Sequence, residues 1–232
     1  MRINTYLAHQ KYCTRREADA LIERGRVRIN GRRAVLGDKV EEGDVVEAGL
    51  RRRHWRYYAY HKPRGIITHS PQEGEEEISE ISGLPGIFPV GRLDKDSSGL
   101  IILTNDGRVT QALLSPEGEN EKEYTVRTKD PLPRDFSYRM ERGVDIGGYV
   151  TKPCRIRILG ERHFSITLTE GKKHQIRRMC GAFGQSALEL RRTRILNVRL
   201  GSLVAGQYRE LTGKERDIFL ASLGLLKGKI VT

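Results

Sequence analysis

Two aspartates, Asp94 and Asp96, lie in the stretch "VGRLDKDSSGLIILTNDG", directly before a run of aliphatic residues. Carboxylates at the start of a buried strand can act as a nucleophile, as a general acid or base, or as ligands of a metal ion. The same D-x-D spacing is also common in surface turns. The local residues favour neither aspartate over the other, and a plain acidic turn remains an alternative to an active site.

Basic residues give this chain a strong positive charge. Its 232 residues include 42 Lys and Arg against 30 Asp and Glu, a formal net charge of +12. The segment from Lys172 to Arg199 holds eight basic residues and one acid, Glu189, and so carries +7 of that charge. Such a concentration favours a polyanionic partner, because bound phosphates release counterions. We interpret the segment as a phosphate-lined cleft, with these RNA-contact candidates: Lys172, Lys173, Arg178, Arg192 and Arg194.

Several function classes lack their motifs in this sequence. Three cysteines without C-x-x-C spacing and six histidines without metal-ligand spacing indicate neither a disulfide framework nor a metal site. The "EGKK" segment lacks the remainder of a phosphate-loop pattern, so we expect no nucleotide and no other cofactor. We find no apolar run of membrane length and no hydrophobic signal core. The sequence therefore predicts a cytoplasmic protein without a membrane partner.

The first 48 residues read as a compact module of two helices and a hairpin. Thr14 and Glu17 form a T-x-x-E capping box at the start of the second helix, and Gly25 ends that helix. Asn30-Gly31 is a strong signal for a tight hairpin. These signals predict a small αα-hairpin domain, followed by a basic linker over residues 49–56.

Arginines at the start of the second helix are candidate phosphate contacts. Arg15 and Arg16 occupy its first turn, where free backbone N–H groups already favour an anion. A solvated basic helix end is an equally good interpretation of these two residues alone. Further arginines in the hairpin, among them Arg32, favour RNA as the partner.

Residues 57–232 predict a strand-rich α+β domain with a mixed or antiparallel sheet. Strand patterns outnumber helix patterns, and no regular βαβ alternation is visible. A last helix is predicted to begin at Thr212 with a second T-x-x-E box, and to turn Ile218, Phe219 and Leu223 inward.

Five stretches, taken in order, resemble the signatures of a known family. "GRLDKDSSGLIILTNDG" resembles the aspartate motif of the pseudouridine synthases, "HKPRG" their first motif, "EKEYTV" their tyrosine motif, and "LTEGKKHQIRRM" with "LRRTRILNV" their third. The N-terminal module, with "CTRREAD" and "GRVRINGRRA", resembles the S4 RNA-binding domain. The pairing is typical of the RsuA/RluB/RluE/RluF branch, and the wording is most similar to its RluF group, which acts on large-subunit ribosomal RNA.

The resemblance implies roles for particular residues. Asp94, and not Asp96, matches the catalytic aspartate; Tyr124 matches the tyrosine that lies against the flipped-out base and is a candidate general base; Arg177 matches the basic residue that forms an ion pair with the aspartate. Supporting positions are Arg92, Lys62 with Pro63, and Leu196, which matches a packing position beneath the aspartate. The implied function is conversion of a uridine to pseudouridine in 23S ribosomal RNA by a monomeric enzyme that uses no cofactor.

Three alternatives remain open at this point. The chain could be a non-enzymatic S4-type assembly factor that binds RNA or the ribosome, or a synthase for small-subunit RNA of the RsuA kind. A metal-dependent nuclease using Asp94, Asp96 and Asp106 is a weaker third possibility, because it needs carboxylates that converge on an ion.

Overall fold

A computed structural model describes residues 1–10, 13–49, 54–69 and 76–225. Four residues of the predicted linker, 50–53, lie outside this description. The chain divides into two compact units. The first comprises Met1–Trp55 with Asp106–Gln111, and the second Arg56–Asn105 with Ala112–Thr232.

The first unit contains the two helices and the hairpin that the sequence predicts, and a third strand that was not predicted extends the hairpin to a three-stranded antiparallel sheet. Its elements are α1 (Ile3–His9), α2 (Arg15–Glu23), β1 (Val27–Ile29), β2 (Arg32–Arg33) and β3 (Val46–Ala48). β1 lies between β2 and β3. Aliphatic side chains from the helices and the sheet share one core that includes Ile3, Leu7, Ala18, Ile22 and Val27.

The local signals of this unit work as predicted. The Thr14 hydroxyl accepts a hydrogen bond from the Glu17 N–H, and the Glu17 carboxylate accepts one from the Thr14 N–H. Asn30 and Gly31 both have positive φ angles, 50° and 77°, which a type I′ hairpin turn requires. The capping box and the turn are therefore confirmed.

The second unit is built on one large sheet. Its strands are β4 (Tyr57–Lys62), β5 (Phe88–Val90), β6 (Ser98–Thr104), β7 (Lys122–Thr128), β8 (Arg155–Gly160), β9 (His163–Leu168), β10 (Ala187–Ile195), β11 (Val198–Arg199) and β12 (Tyr208–Glu210). Its helices are α3 (Ile78–Ile81), α4 (Gly107–Leu114), of which residues 107–111 belong to the first unit, α5 (Phe136–Glu141), α6 (Gln175–Gly181) and α7 (Gly213–Ser222).

The strand order of this sheet is β12-β4-β6-β10-β7-β9-β8, with β5 paired to β6 and β11 paired to β10. The pair β6–β10 is parallel, while the other pairs are antiparallel. The predicted mixed, strand-rich α+β domain is confirmed. Because β6 is central, six of its seven residues are buried, which explains the unbroken aliphatic run in its sequence.

Gly99 allows β6 and β10 to approach each other closely. Its φ angle is 109°, and a Cβ atom built there would lie 2.2 Å from the backbone oxygen of Arg192 on β10. Only glycine fits both the backbone conformation and the space. The close approach brings β10 alongside Ser98 and Gly99, which directly follow the turn that carries Asp94 and Asp96.

Two details of the last helix differ from the prediction. Within the described residues, the Thr212 side chain makes no capping hydrogen bond at the start of α7. The Glu215 carboxylate, the other half of the predicted box, accepts two hydrogen bonds from the Arg209 guanidinium. Ile218 is 42% exposed, while Phe219 and Leu223 are buried. The second capping box and the inward orientation of Ile218 were therefore wrong.

No helix within the described residues is long and apolar enough to span a membrane.

The Gly99→Ala variant tests the close approach of the two strands. We expect it to lower the free energy of unfolding by about 3 kcal/mol or more, because either the Cβ atom or the sheet backbone must move. Urea unfolding of the purified protein measures this loss.

Gly148→Ala is the matched control, because Gly148 also has a positive φ angle but has open space where the Cβ atom would lie. It should lose only about 1–2 kcal/mol, the strain of the left-handed backbone. Equal losses in the two variants would contradict the role assigned to Gly99.

Candidate active site

Asp94 lies in the turn between β5 and β6. Leu93 and Ser97 of this turn are buried, whereas the Asp94 side chain remains 36% exposed. The Ser97 N–H donates to the Asp94 carbonyl oxygen at 3.0 Å, which closes the turn. The turn is therefore buried on both sides of Asp94, while the Asp94 carboxylate is only partly covered.

Each backbone carbonyl from Arg92 to Ser97 accepts a hydrogen bond. Arg92 accepts from Arg192, Leu93 from the Thr68 hydroxyl, Asp94 from Ser97, Lys95 from Gly65 and Lys62, Asp96 from Arg177, and Ser97 from Lys62. Thr68 also accepts from the Leu93 N–H at 3.0 Å. The backbone of this segment, which we call the aspartate loop (residues 92–97), is therefore held along its whole length.

Lys62 makes the most extensive of these contacts. It lies at the end of β4 and is 0% exposed, and its ammonium donates to the carbonyls of Pro63 (2.9 Å), Ser97 (2.9 Å) and Lys95 (3.4 Å). Burial lowers the pKa of Lys62 to about 8, although the nearby carboxylates of Asp94 and Asp96 act to raise it. The supporting position implied by the resemblance is thus a buried cation directed at the loop backbone.

Arg177 lies on α6, and its side chain contacts the backbone of the aspartate loop. The guanidinium donates to the carbonyl oxygens of Ala187 at 2.6 Å and Asp96 at 3.3 Å. Among the ion pairs of the described residues, none joins Arg177 to Asp94. The ion pair that the resemblance implied is not formed in this structure, because the donors of Arg177 are directed to main-chain carbonyls.

Tyr124 lies on β7 opposite Arg192 of β10. Its hydroxyl is 3.5 Å from Nη1 of Arg192, and the guanidinium carbon lies 5.9 Å from the centre of its ring. The ring is half-buried. Tyr124 and the aspartate loop therefore share a neighbour, since Arg192 also donates to the Arg92 carbonyl.

Arg192 was predicted to contact RNA, and the structure contradicts that role. It is 3% exposed, and its Nε donates to the Leu100 carbonyl at 2.6 Å. Its Nη2 is buried and has no hydrogen-bond partner among the residues that the structure describes. A charge so deep in the sheet cannot reach a surface phosphate, and Arg192 instead joins β6, Tyr124 and the aspartate loop.

Arg194 is also wrongly predicted as an RNA contact. Its guanidinium forms ion pairs with Glu121 and Glu123, both at 3.0 Å, and its side chain is only 14% exposed. A register shift between Arg192 and Arg194 accompanies this change in surroundings. The charge of Arg194 is therefore balanced within the protein.

The other predicted RNA contacts are exposed. In the second unit, Lys172, Lys173 and Arg178 lie at the surface, and the Lys172 ammonium sits 4.4 Å from the centre of the Tyr149 ring. In the first unit, Arg15 and Arg16 are exposed, while Arg32 forms an exposed ion pair with Asp38 at 2.9 Å. These residues remain available to a polyanion, since an exposed ion pair contributes little and can exchange.

The positions of the two remaining supporting residues, Arg92 and Leu196, do not by themselves indicate a role in the site. Arg92 is exposed, and its backbone carbonyl is the part that the aspartate loop uses. Leu196 lies in the tight turn between β10 and β11 with a φ angle of 51°, and its N–H donates to Glu121. Its predicted packing beneath the aspartate stays a prediction.

His174 and Thr68 are site residues that the sequence analysis did not single out. The His174 Nδ1 lies 4.0 Å from Oδ2 of Asp94. Both residues fall inside motifs already recognised, "KHQIRRM" and the segment after "HKPRG". Nothing in their own types or spacing distinguishes them, because their contacts lie 80 and 25 residues away along the chain.

A metal centre built on Asp94, Asp96 and Asp106 has no support in the described part of the chain. No group of three or more His, Cys, Asp or Glu side chains there could hold a metal ion. Both carboxylate oxygens of Asp106 accept hydrogen bonds from the Arg108 guanidinium. Asp106 is therefore already committed to an ion pair of its own.

Comparison with known proteins agrees with this geometry. A family model described as RNA pseudouridylate synthase matches residues 56–182, and a model described as the S4 domain matches residues 1–46. The dual-specificity RNA pseudouridine synthase RluF of Salmonella typhi is 42% identical, over 94% of this chain and 78% of that protein. The ribosomal large subunit pseudouridine synthase B of Bacillus subtilis is 34% identical, over 92% of this chain and 93% of that protein.

The overall fold also has a solved counterpart. A crystal structure of a pseudouridylate synthase superposes with a TM-score of 0.70 at 29% identity, covering 94% of this chain and 99% of that one. An S4 domain followed by an RNA pseudouridylate synthase domain places the protein among the RNA-modifying enzymes. The chain belongs to the RNA pseudouridylate synthase family, and it is an RNA pseudouridine synthase. The alternative of a non-enzymatic binding protein is therefore excluded.

The lowered pKa of Lys62 predicts a reaction rate that depends on pH in the alkaline range. Because the pKa of Lys62 is about 8, raising the pH through this value removes its charge and weakens its hold on the Lys95 and Ser97 carbonyls. We expect the single-turnover rate of pseudouridine formation to fall with a midpoint near pH 8.

Global unfolding and other titrating groups are separable from this effect. The folded chain releases the Lys62 proton at a lower pH than the unfolded chain, whose lysines titrate near 10.5, so this group makes stability rise between those values. A Lys62→Met variant should be slower by about 10²-fold, because the loop is misplaced, and should lack this alkaline limb. An alkaline limb that persists in the variant would assign it to another group.

Proposed function

We propose that this RNA pseudouridine synthase modifies a uridine of ribosomal RNA in the large subunit, with Asp94 as its nucleophile. The name of one similar protein, the ribosomal large subunit pseudouridine synthase B of Bacillus subtilis, supports this substrate. We further propose that the enzyme acts as a monomer in the cytoplasm.

The rigid presentation of Asp94 is the observation that carries the assignment of the nucleophile. Six consecutive carbonyls, 92–97, are hydrogen-bonded, while the carboxylate of Asp94 is left 36% exposed. A reacting group gains most when its position is fixed before the substrate binds. Asp96 is exposed, and its backbone carbonyl is fixed by Arg177.

Pseudouridine formation fits a site with one nucleophilic carboxylate. The bond between uracil N1 and ribose C1′ breaks, C5 of the same uracil joins C1′, the C5 proton leaves and N1 gains a proton. No electrons are exchanged with an outside partner. The carboxylate attacks the ribose or the base, or stabilises a glycal-type intermediate, and each of these routes needs it ionised.

Two cations lie close to the aspartate loop. The negative charges of Asp94 and Asp96 both act to raise the pKa of Lys62. The Arg177 guanidinium donates a hydrogen bond to the Asp96 carbonyl of the same loop. We therefore assign Arg177 the role of holding the aspartate loop in place through the Asp96 carbonyl.

Tyr124 is the proposed support for the target base. Its half-buried ring stands on the strand next to β10, and Arg192 fixes its hydroxyl end. A base inside an RNA helix is out of reach of a carboxylate and must be flipped out, and an aromatic face stabilises the extruded base. We assign Tyr124 this stacking role and retain it as the candidate general base for the C5 proton.

Residues 1–48 are proposed as the RNA-binding domain and residues 57–232 as the catalytic domain. Exposed cations in each domain supply the phosphate contacts: Arg15, Arg16 and Arg32 in the first, and Lys172, Lys173 and Arg178 in the second. Contacts of this type carry affinity without sequence information.

Asp94→Asn tests the nucleophile. We expect the rate of pseudouridine formation, followed by tritium release from RNA labelled at uracil C5, to fall by at least about 10³-fold. The affinity for the RNA should change little. The substitution replaces one carboxylate by an uncharged carboxamide of similar size and leaves the hydrogen bonds of the loop backbone in place.

Asp96→Asn is the matched control, because it removes the neighbouring carboxylate and keeps the carbonyl that Arg177 binds. It should retain most of the activity. Full activity in Asp94→Asn, or equal losses in the two variants, would refute the assignment.

Replacing Arg15 and Arg16 by glutamine tests the phosphate contacts of the first unit. Each lost contact should reduce the slope of log Kd against log salt by about 0.7–0.9, because fewer counterions are released. Fluorescence anisotropy with a ribosomal RNA fragment at several salt concentrations gives the slope.

Arg24→Gln, at the other end of the same helix, is the control and should leave the slope unchanged. An unchanged slope in the double variant would contradict the role of Arg15 and Arg16.

A further inference from the structure

Within the described residues, the cations around the aspartate loop bind its backbone and not the Asp94 carboxylate. Lys62, Arg177 and Arg192 donate to backbone carbonyls of the loop, at 2.9–3.4 Å. In the described part of the chain, the carboxylate has one ion-pair contact, in which Oδ2 lies 4.0 Å from Nδ1 of His174. The charge of Asp94 therefore faces an imidazole.

The backbone of His174 is in a conformation that few residues adopt. Its φ and ψ angles are 53° and 27°, in the left-handed region, directly before α6. A residue with a Cβ atom loses roughly 1–2 kcal/mol there, and such outliers collect at functional sites where the surroundings enforce them. Glycine would remove this strain.

The residues on both sides of His174 enforce this conformation. The Gln175 carboxamide oxygen accepts from the Lys172 N–H at 2.8 Å, and the Gln175 N–H donates to the Lys172 carbonyl at 3.1 Å. The Gln175 side-chain nitrogen also donates to Glu170 at 2.8 Å. The segment 170–175 is thus closed around His174, whose side chain is directed to the aspartate loop.

We propose that His174 is a positioning residue for Asp94, whose imidazole orients the carboxylate through Oδ2 and balances its charge. This inference rests on the proposed role of Asp94 as the nucleophile. A separation of 4.0 Å is an ion-pair distance and not a hydrogen bond. Catalytic hydrogen bonds are often long in the free enzyme and shorten when the substrate binds.

The division of labour follows from the geometry. Cations on β4, β10 and α6 fix the loop backbone, and the imidazole at the start of α6 fixes the carboxylate itself. Arg177 and His174 are one turn apart, so a single helix acts on both parts of the loop. The carboxylate then has one oxygen directed to His174, which leaves the other for the substrate.

A direct phosphate contact is the competing role for His174. The side chain is 48% exposed and follows two lysines, Lys172 and Lys173, so it could contact RNA only. The two roles predict different measurements. A phosphate contact changes the Kd for RNA, whereas a positioning residue changes the rate of the bound complex.

His174→Asn is the main test, because asparagine tolerates the left-handed backbone and cannot carry a charge. With enzyme in excess over a labelled ribosomal RNA fragment, we expect the single-turnover rate to fall by about 10- to 100-fold. The Kd for the RNA should stay within about 2-fold, and the melting temperature should remain equal or rise because strain is not increased.

A cationic replacement and a matched control complete the design. His174→Lys restores a positive charge on a flexible stem and should recover most of the lost rate. His163→Asn makes the same substitution at an exposed histidine on β9, away from the site, and should leave rate and Kd unchanged. A normal rate in His174→Asn, a rate loss explained by Kd or by unfolding, or no recovery in His174→Lys would each overturn the proposal.

The Asp94→Asn variant in the same assay separates this inference from the proposed function. If Asp94→Asn keeps its rate, the nucleophile assignment fails and the inference fails with it. If Asp94→Asn is inactive while His174→Asn is fully active, the nucleophile stands and only the role of His174 is refuted.

Discussion

The buried ammonium of Lys62 is the interaction on which the rest of the site depends. It is fully removed from solvent and bonded to three main-chain carbonyls, two of them in the aspartate loop. A charge so placed needs these acceptors, because an unsatisfied buried ion is very unfavourable. The loop carbonyls need donors in turn, so the loop and the lysine stabilise each other. Since Lys62 is occupied by carbonyls, it adds positive potential without covering the carboxylate.

The close contact between β6 and β10 extends the same arrangement. Gly99 permits it, and Arg192 on β10 then reaches the Leu100 and Arg92 carbonyls and the Tyr124 hydroxyl. A parallel pair between distant strands thus places the loop and the tyrosine strand in a fixed relation. With Arg177 on α6, three cations from three elements hold one segment of six residues. This rigidity is consistent with a reaction that needs a fixed carboxylate and no cofactor.

Much of the fold could be predicted from local sequence patterns. Which charged side chains are buried and which are exposed could be predicted only in part. The capping box at Thr14, the Asn30-Gly31 turn and the aliphatic strand β6 depend on residues a few positions apart, so their patterns predict them. Arg192 was predicted to contact RNA, although it shares a strand face with the buried Leu190, two residues before it. Strand alternation could have indicated its burial. The register shift between Arg192 and Arg194 interrupts this alternation, so the burial of Arg194 could not be predicted in the same way. Glu215 was predicted to cap α7 and instead forms an ion pair with Arg209.

The sequence by itself determined the family, the α+β class, most helices and strands, and the aspartate motif, because each is written in neighbouring residues. Only the tertiary structure decided what each cation of the site binds. Lys62 and Arg177 turned out to hold carbonyls, and His174, absent from the sequence analysis, turned out to face Asp94. Such partners lie from about thirty to eighty residues apart along the chain. Their choice depends on sheet order, strand register and the direction of side chains, and no local pattern records these.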